Sequence, residues 1–269
     1  MISTAGPASS LERMIRHDRL VVAGGLLAVT LLAWLYLWLM AADMAAMGAE
    51  AERHAAMGMV MPDMRAWGIA DFFWLFLMWA IMMVAMMLPS AAPLILLVAG
   101  TYRRRGSDAR WLTATFAGGY LAAWVAFSVV AALAQTVLHR TALLSPSMAS
   151  GSAWLAGGIF IAAGVYQWLP VKNACLTHCR SPLHFLTHEW KEGAAGALVM
   201  GLRHGWFCVG CCWTLMALLF VVGVMNLIWV AVIAAFVLVE KLARQGPRVG
   251  QVAGLLCTVW GVYVLLVGS

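Results

Sequence analysis

The sequence predicts an all-α fold, a polytopic bundle of transmembrane helices. Hydrophobic residues make up 64% of the 269 positions and charged residues only 10%, whereas soluble domains carry about 25% charged residues. Long apolar segments recur along the chain, and about 20 apolar residues in a helix cross a bilayer. Because a backbone in lipid must satisfy its own hydrogen bonds, helices are the expected spans. A water-soluble globular enzyme and a disordered chain are both excluded by this composition.

The elements are expected in a simple order, a cytoplasmic N-terminal arm over residues 1–19 and then a single bundle over residues 20–269. The apolar segments that would form about seven helices cover residues 20–40, 72–99, 112–138, 153–170, 195–222, 225–240 and 252–268. The first segment exceeds the apolar core of a signal peptide, which has about 7–15 residues, and is therefore interpreted as a retained helix. The sixth and seventh segments are short.

The distribution of basic residues predicts the orientation. With the N-terminus inside, fourteen of the 17 Lys and Arg residues fall in cytoplasmic segments, and only Arg53, Arg65 and Arg140 fall outside. An excess of Lys and Arg in cytoplasmic loops is typical of membrane proteins. We therefore expect a multi-pass protein of the bacterial inner (plasma) membrane, in contact with the lipid bilayer, with its C-terminus outside. The net charge of +6 is then no sign of nucleic-acid binding.

The clearest candidate metal site lies on the fifth segment, in the stretch RHGWFCVGCCW. Its members are His204, Cys208, Cys211 and Cys212, spaced three or four residues apart, so that helical periodicity places them on one side of the helix. Thiolates with an imidazole select Cu(I) or Zn(II). Three glycines would let another helix approach closely: Gly201, Gly205 and Gly210. The alternative is that these cysteines are small hydrophobic side chains in the packing.

A second candidate cluster lies in the inner segment 171–194. It contains Cys175, His178 and Cys179, and it directly precedes the fifth helix, so it can fold back over the Cys208 stripe. The reducing compartment disfavours a permanent disulfide there. The nearby cations Lys172 and Arg180 would favour the thiolate form. The alternative is a solvated loop with incidental histidines and cysteines.

Methionines form a third feature, in the outer segment 41–71 and on the second helix. Thioethers are neutral soft ligands that suit Cu(I). The possible outer ligands are His54, Met57, Met59, Met61 and Met64, and a stripe with a four-residue repeat provides possible transit ligands, Met78, Met82 and Met86. The alternative for the stripe is that methionine fills the core.

Two charged residues, Glu240 and Lys241, follow the sixth segment. If the helix continues inward, the carboxylate lies within or just below the bilayer, where it must be paired or functional. The alternative is an ordinary position on the cytoplasmic surface.

Several of these stretches resemble a known family: Met78–Pro89, Lys172–Pro182, His204–Trp213 with Leu215 and Met216, and Met225–Leu227 through Glu240–Lys241. The chain resembles, over roughly residues 70–245, the bacterial family of predicted metal-binding integral membrane proteins, domain of unknown function 2182. The resemblance implies a polytopic inner-membrane protein that binds metal, without an established reaction.

These observations predict binding, transport or delivery of a soft metal, with copper favoured over zinc because of the Met57–Met64 run. A metallochaperone or a membrane metalloenzyme is the expected partner, and no phosphate-binding loop indicates a nucleotide. A membrane thiol–disulfide oxidoreductase is one alternative, since Cys208 and Cys211 form a Cys-X-X-Cys motif. A non-catalytic accessory subunit of a larger membrane complex is the other. Whether the protein is an enzyme is left open.

Overall fold

The computed structural model describes residues 10–57, 68–141 and 152–268, and these ranges are helical with no strand among them. The all-α prediction is confirmed. The helices are α1 (Ser10–Ala56), α2 (Ile69–Arg104), α3 (Ala109–Arg140), α4 (Ala153–Tyr166), α5 (Pro170–Arg180), α6 (Pro182–His188), α7 (Gly193–Ala217), α8 (Leu219–Val222), α9 (Leu227–Leu242) and α10 (Gly246–Val267).

Five of the described helical segments are long and apolar enough to span a membrane, against about seven expected. They are Leu20–Glu50, Ile69–Arg104, Ala109–Arg140, Gly193–Val222 and Gly246–Val267. A sixth span is present if α4 and α5, which are bent by 63° at their junction, count as one. The bend lies where Pro170 begins α5. Proline is readily accommodated in the first turn of a helix, where its missing N–H would have no helical partner. The 16 residues of α9 rise only about 24 Å.

The segments expected to be loops are more helical than the sequence suggests. Helix α1 continues to Ala56, so the first part of the outer segment 41–71 extends the first helix. Its alanine, glutamate and methionine residues are all good helix formers. The inner segment 171–194 folds as α5 and α6.

Glycines bring α3 and α7 into backbone contact. A Cβ atom at Gly201 would lie 2.0 Å from the carbonyl oxygen of Phe116, and one at Gly119 would lie 2.3 Å from that of Leu198. Small residues at such positions are the usual means of close helix approach in membranes. The contact fixes the position of α7, and hence of its cysteine stripe, against α3.

Helix α2 forms the centre of the core and carries two interior prolines, Pro89 and Pro93. Pro89 lacks the backbone N–H that would bond to the carbonyl of Ala85. The indole Nε1 of Trp34 on α1 donates to that carbonyl oxygen at 3.1 Å. Because of the proline, the Ala85 carbonyl oxygen is free to accept the hydrogen bond that joins α1 to α2.

Candidate metal centre

The candidate ligands on α7 face the interior of the protein, and two of its tryptophans face outward. The side chains of His204, Cys208, Cys211 and Cys212 are buried, whereas Trp206 and Trp213 are exposed. The periodicity of the sequence therefore predicted the buried face correctly. All six cysteines of the chain are free thiols.

Cys208 lies at the centre of the cluster and is contacted from two other helices. Lys241 on α9 donates from Nζ to the Cys208 Sγ at 2.8 Å. The hydroxyl of Tyr120 on α3 lies 3.1 Å from the same sulfur and donates to the carbonyl oxygen of Met87 at 3.1 Å. Lys241 also donates to the Ser90 hydroxyl at 3.2 Å. A thiol, a phenol and an ammonium thus share one buried polar site.

The other two thiols of α7 lie one turn further along the helix. The Sγ atoms of Cys211 and Cys212 donate to the carbonyl oxygen of Cys208, at 3.2 Å and 2.8 Å. Both side chains therefore point back towards Cys208.

Helix α5 brings its two cysteines against this stripe. The Cys179 thiol lies close enough to the thiols of Cys208 and Cys211 to interact with them electrostatically. A Cβ atom at Gly210 would lie 2.9 Å from the Cys175 Sγ, so this glycine makes room for the second thiol. The inner segment therefore folds over the α7 stripe, and the two sequence clusters meet.

Cys175 is only partly buried and borders an opening in the surface. It contributes to a groove of about 490 Å³, whose other lining residues are Val199, Leu202, Arg203, Trp206 and Phe207. The thiols thus range from partly exposed Cys175 to buried Cys208.

Glu240 is buried and paired, which agrees with the first of the two alternatives considered from the sequence and not with a surface position. Its carboxylate accepts a hydrogen bond from Lys172 Nζ, which also donates to Gln167, and the exposed fractions of the Lys172 and Glu240 side chains are 1% and 2%. Arg180 donates to the backbone carbonyl oxygen of Glu240. The first and last turns of α5 are therefore both attached to the end of α9.

This arrangement corrects the sequence interpretation of the cations. Lys172 and Arg180 were expected beside the thiols, but Glu240 binds both. The cation at the thiols is Lys241. The reason is that a buried carboxylate needs a cationic partner, and Lys172 on α5 provides it.

The two candidate histidines lie next to each other, His204 buried and His178 partly buried. His178 and His204 have ring centroids 6.2 Å apart. The His178 Nδ1 lies 3.7 Å from the Glu189 carboxylate. Among the described residues, neither His178 Nε2 nor His204 Nδ1 has a hydrogen-bond partner.

The family model of the PpoB2 proteins, described as a copper chaperone, matches residues 76–264, which is more than half of the chain. The chain belongs to the PpoB2 copper chaperone family. The matched range includes the thiols of α5 and α7 and the consecutive residues Glu240 and Lys241. The match supports the expectation of a copper-related protein, under this name rather than that of the domain of unknown function 2182. No curated protein and no solved structure matches the chain.

The methionine candidates of this PpoB2-family chain fall into two groups. Met78, Met82 and Met86 are buried in the core on α2. Met57, at the end of α1, is 64% exposed, and the neighbouring His54 Nε2 lies 3.8 Å from a Glu50 oxygen. The remaining outer candidates lie outside the described residues: Met59, Met61 and Met64.

Across residues 10–57, 68–141 and 152–268, no group of three or more His, Cys, Asp or Glu side chains is arranged to hold a metal ion. The described contacts of the PpoB2-family site converge instead on one sulfur, that of Cys208, from Lys241 and Tyr120. Sequence reasoning missed Tyr120 and Ser90, which complete the polar site. Their only signal was a hydroxyl group within an apolar segment.

Proposed function

We propose that the protein is a membrane copper chaperone that holds Cu(I) between the thiols of Cys179 and Cys208. The observation that carries this proposal is the buried Cys208 sulfur, which the Lys241 ammonium contacts and with which the nearby Cys179 thiol interacts electrostatically. Cu(I) is a soft ion that thiolates select, and two thiolates suffice to bind it. The membership in a copper chaperone family supports the choice of copper over zinc.

The charges of the groups at Cys208 support a thiolate complex. A buried ammonium is costly unless it is paired, and the Glu240 carboxylate next to Lys241 is already bound to Lys172. Cu(I) with two thiolates carries one net negative charge. Lys241, only 7% exposed, supplies the compensating positive charge at Cys208.

The remaining candidate ligands would act in capture and exchange. Cys175, Cys211 and Cys212 provide further thiols next to the Cys179–Cys208 pair, and ligand exchange among thiols lets a chaperone release its ion. On this proposal, Met57, Met59, Met61 and Met64 collect copper outside, and the buried stripe Met78, Met82 and Met86 passes it inward. The acceptor is a second metallochaperone or a membrane metalloenzyme. This direction follows the predicted N-in orientation.

The test is a competition titration of the full-length protein, purified anaerobically, against a Cu(I) chelator. Cys179→Ser and Cys208→Ser should each weaken Cu(I) binding strongly, because a hydroxyl is a harder and poorer ligand than a thiolate. Met82→Leu should act more weakly, since it removes one neutral thioether at a packing cost usually below about 1.5 kcal/mol. Cys257→Ser on α10 is the matched control and should bind copper as the wild type does.

Equal and sub-stoichiometric copper in all these proteins would overturn the proposal. A thiol–disulfide oxidoreductase would lose turnover in the same cysteine variants and purify without stoichiometric metal. An accessory subunit would show neither effect. A preference for Zn(II) would retain the thiol site and remove the role of the methionines, because thioethers are ligands for Cu(I).

A further inference from the structure

Two imidazoles beside the thiols each have one buried nitrogen that is available as a ligand atom. The Nε2 of His178 and the Nδ1 of His204 are buried without a hydrogen-bond partner among the described residues. A buried polar group without a partner destabilises the folded protein. Two such nitrogens on adjacent rings therefore indicate a missing common partner.

The orientation of His178 is fixed from two sides. Its ring stacks on Phe207, with centroids 3.8 Å apart, and its Nδ1 lies 3.7 Å from the carboxylate of Glu189. Glu189 is itself held by Arg203, with 3.3 Å between the Arg203 Nε and the other carboxylate oxygen. A carboxylate that faces one ring nitrogen favours the tautomer protonated at that nitrogen, and groups of this kind commonly support metal-binding histidines. It leaves Nε2 as the ligand atom.

Aromatic rings surround the His204 ring. The rings of Tyr120 and Phe185 each have their centroids 5.7 Å from that of His204. His204 is only 4% exposed. Water therefore has little access to its free Nδ1.

The separation of the two rings fits a shared ion. Metal–nitrogen bonds of about 2.0 Å on each side, together with the two ring radii, place the centroids of two linearly coordinating imidazoles about 6 Å apart. The observed separation between His178 and His204 is 6.2 Å. Two neutral nitrogen ligands suit Cu(I), and imidazole is an established copper ligand.

We infer that the Nε2 of His178 and the Nδ1 of His204 form a second Cu(I) site, made of nitrogen donors and distinct from the Cys179–Cys208 pair. The inference rests on the proposed function for the identity of the ion. The two sites adjoin, because Tyr120 contacts the His204 ring and its hydroxyl lies 3.1 Å from the Cys208 Sγ. The protein then holds two copper ions, one on sulfur and one on nitrogen.

The experiment counts Cu(I) equivalents on the anaerobically purified full chain, in competition with a chelator. The wild type should bind two equivalents. A Cys179→Ser/Cys208→Ser variant should retain one, and a His178→Gln/His204→Gln variant should retain the other. Glutamine keeps a polar side chain, and thermal unfolding of each variant establishes that it is folded. His188→Ala is the matched control, since the Nδ1 of His188 already lies 2.8 Å from the Thr187 hydroxyl.

The outcomes separate the two proposals. A single equivalent that only the cysteine variant loses would overturn the histidine site and leave the thiol proposal standing. A single equivalent that only the histidine variant loses would overturn the thiol proposal and support the histidine site. No copper on the wild type would overturn both.

Discussion

Lys241 is the residue on which the electrostatics of the cluster depend. Its Nζ donates to the Cys208 Sγ at 2.8 Å and to the Ser90 hydroxyl at 3.2 Å, in a buried position. The neighbouring Glu240 faces α5 instead, where Lys172 binds it. Consecutive residues of α9 therefore contact two different sites: Glu240 anchors α5, and Lys241 contacts the sulfur of Cys208.

Lys241→Met should weaken Cu(I) binding, because it removes the positive charge beside Cys208 while keeping a long side chain. A hydrogen bond to a charged group contributes about 1.5–3 kcal/mol, which corresponds to a loss of affinity of about tenfold to hundredfold. The measurement is the Cu(I) dissociation constant by chelator competition. Ser90→Ala is the control and should have a smaller effect, since it leaves the contact between Lys241 and Cys208. Unchanged affinity in Lys241→Met would contradict the electrostatic role.

At the residue scale, the sequence predicted which side of α7 the candidate residues share, but not which groups surround them. The spacing of Cys208 and Cys212 requires a common helical face, and that face is buried as expected. The choice of cation was wrong, because Lys172 and Arg180 are close to Cys175 and Cys179 in sequence, whereas Lys241 approaches Cys208 only in the folded chain. Only the packing of α5 on α9 decides which lysine reaches a thiol.

At the scale of elements, the contact between α3 and α7 positions the cluster. Tyr120 on α3 meets Cys208 on α7, and this distance depends on the glycines where the two helices cross. A Cβ atom at Gly201 would lie 2.0 Å from the Phe116 carbonyl oxygen and 3.0 Å from the Tyr120 backbone nitrogen. Backbone atoms cannot turn aside as a flexible side chain can, so any substitution there must separate the helices.

Gly201→Ala should therefore destabilise the protein by about 1–3 kcal/mol, the usual cost of overpacking. Thermal unfolding of the purified protein in detergent measures the effect. Gly118→Ala is the matched control, because no atom lies within 4 Å of its added Cβ, and alanine favours a helix over glycine. A Gly201→Ala protein as stable as the Gly118→Ala protein would show that the close approach of α3 and α7 does not stabilise the fold.

Some helices were predicted from the sequence, whereas the bend between α4 and α5 and the contacts between helices were not. Uninterrupted apolar segments such as α2 and α3 were predicted to be helices, because hydropathy and helical periodicity agree there. The sixth expected segment forms only the 16-residue helix α9, and the apolar length of the fourth does not reveal that α4 bends by 63° into α5. The close contact of Cys175 with Gly210 is likewise a product of tertiary packing and has no local signal.

At the scale of the whole molecule, a polar cluster is enclosed by an apolar bundle. Tyr120, Lys241 and three cysteines of α7 lie in the buried interior, while α1 and α10 present mostly apolar side chains outward. Such enclosure suits a protein that holds a reactive soft ion away from water. The match to the copper chaperone family model covers this same region, residues 76–264. The central claim is therefore that copper binds to sulfur inside the bundle.

X-ray absorption spectroscopy at the copper edge tests that claim most directly, on the full-length protein loaded anaerobically with one equivalent of Cu(I). The account predicts sulfur donors around the first equivalent, because thiolates are softer ligands than imidazoles. It also predicts that Cys208→Ser reduces the sulfur contribution, whereas Cys257→Ser leaves the spectrum unchanged. A first equivalent surrounded only by nitrogen and oxygen donors, with the same spectrum in Cys208→Ser, would contradict the account.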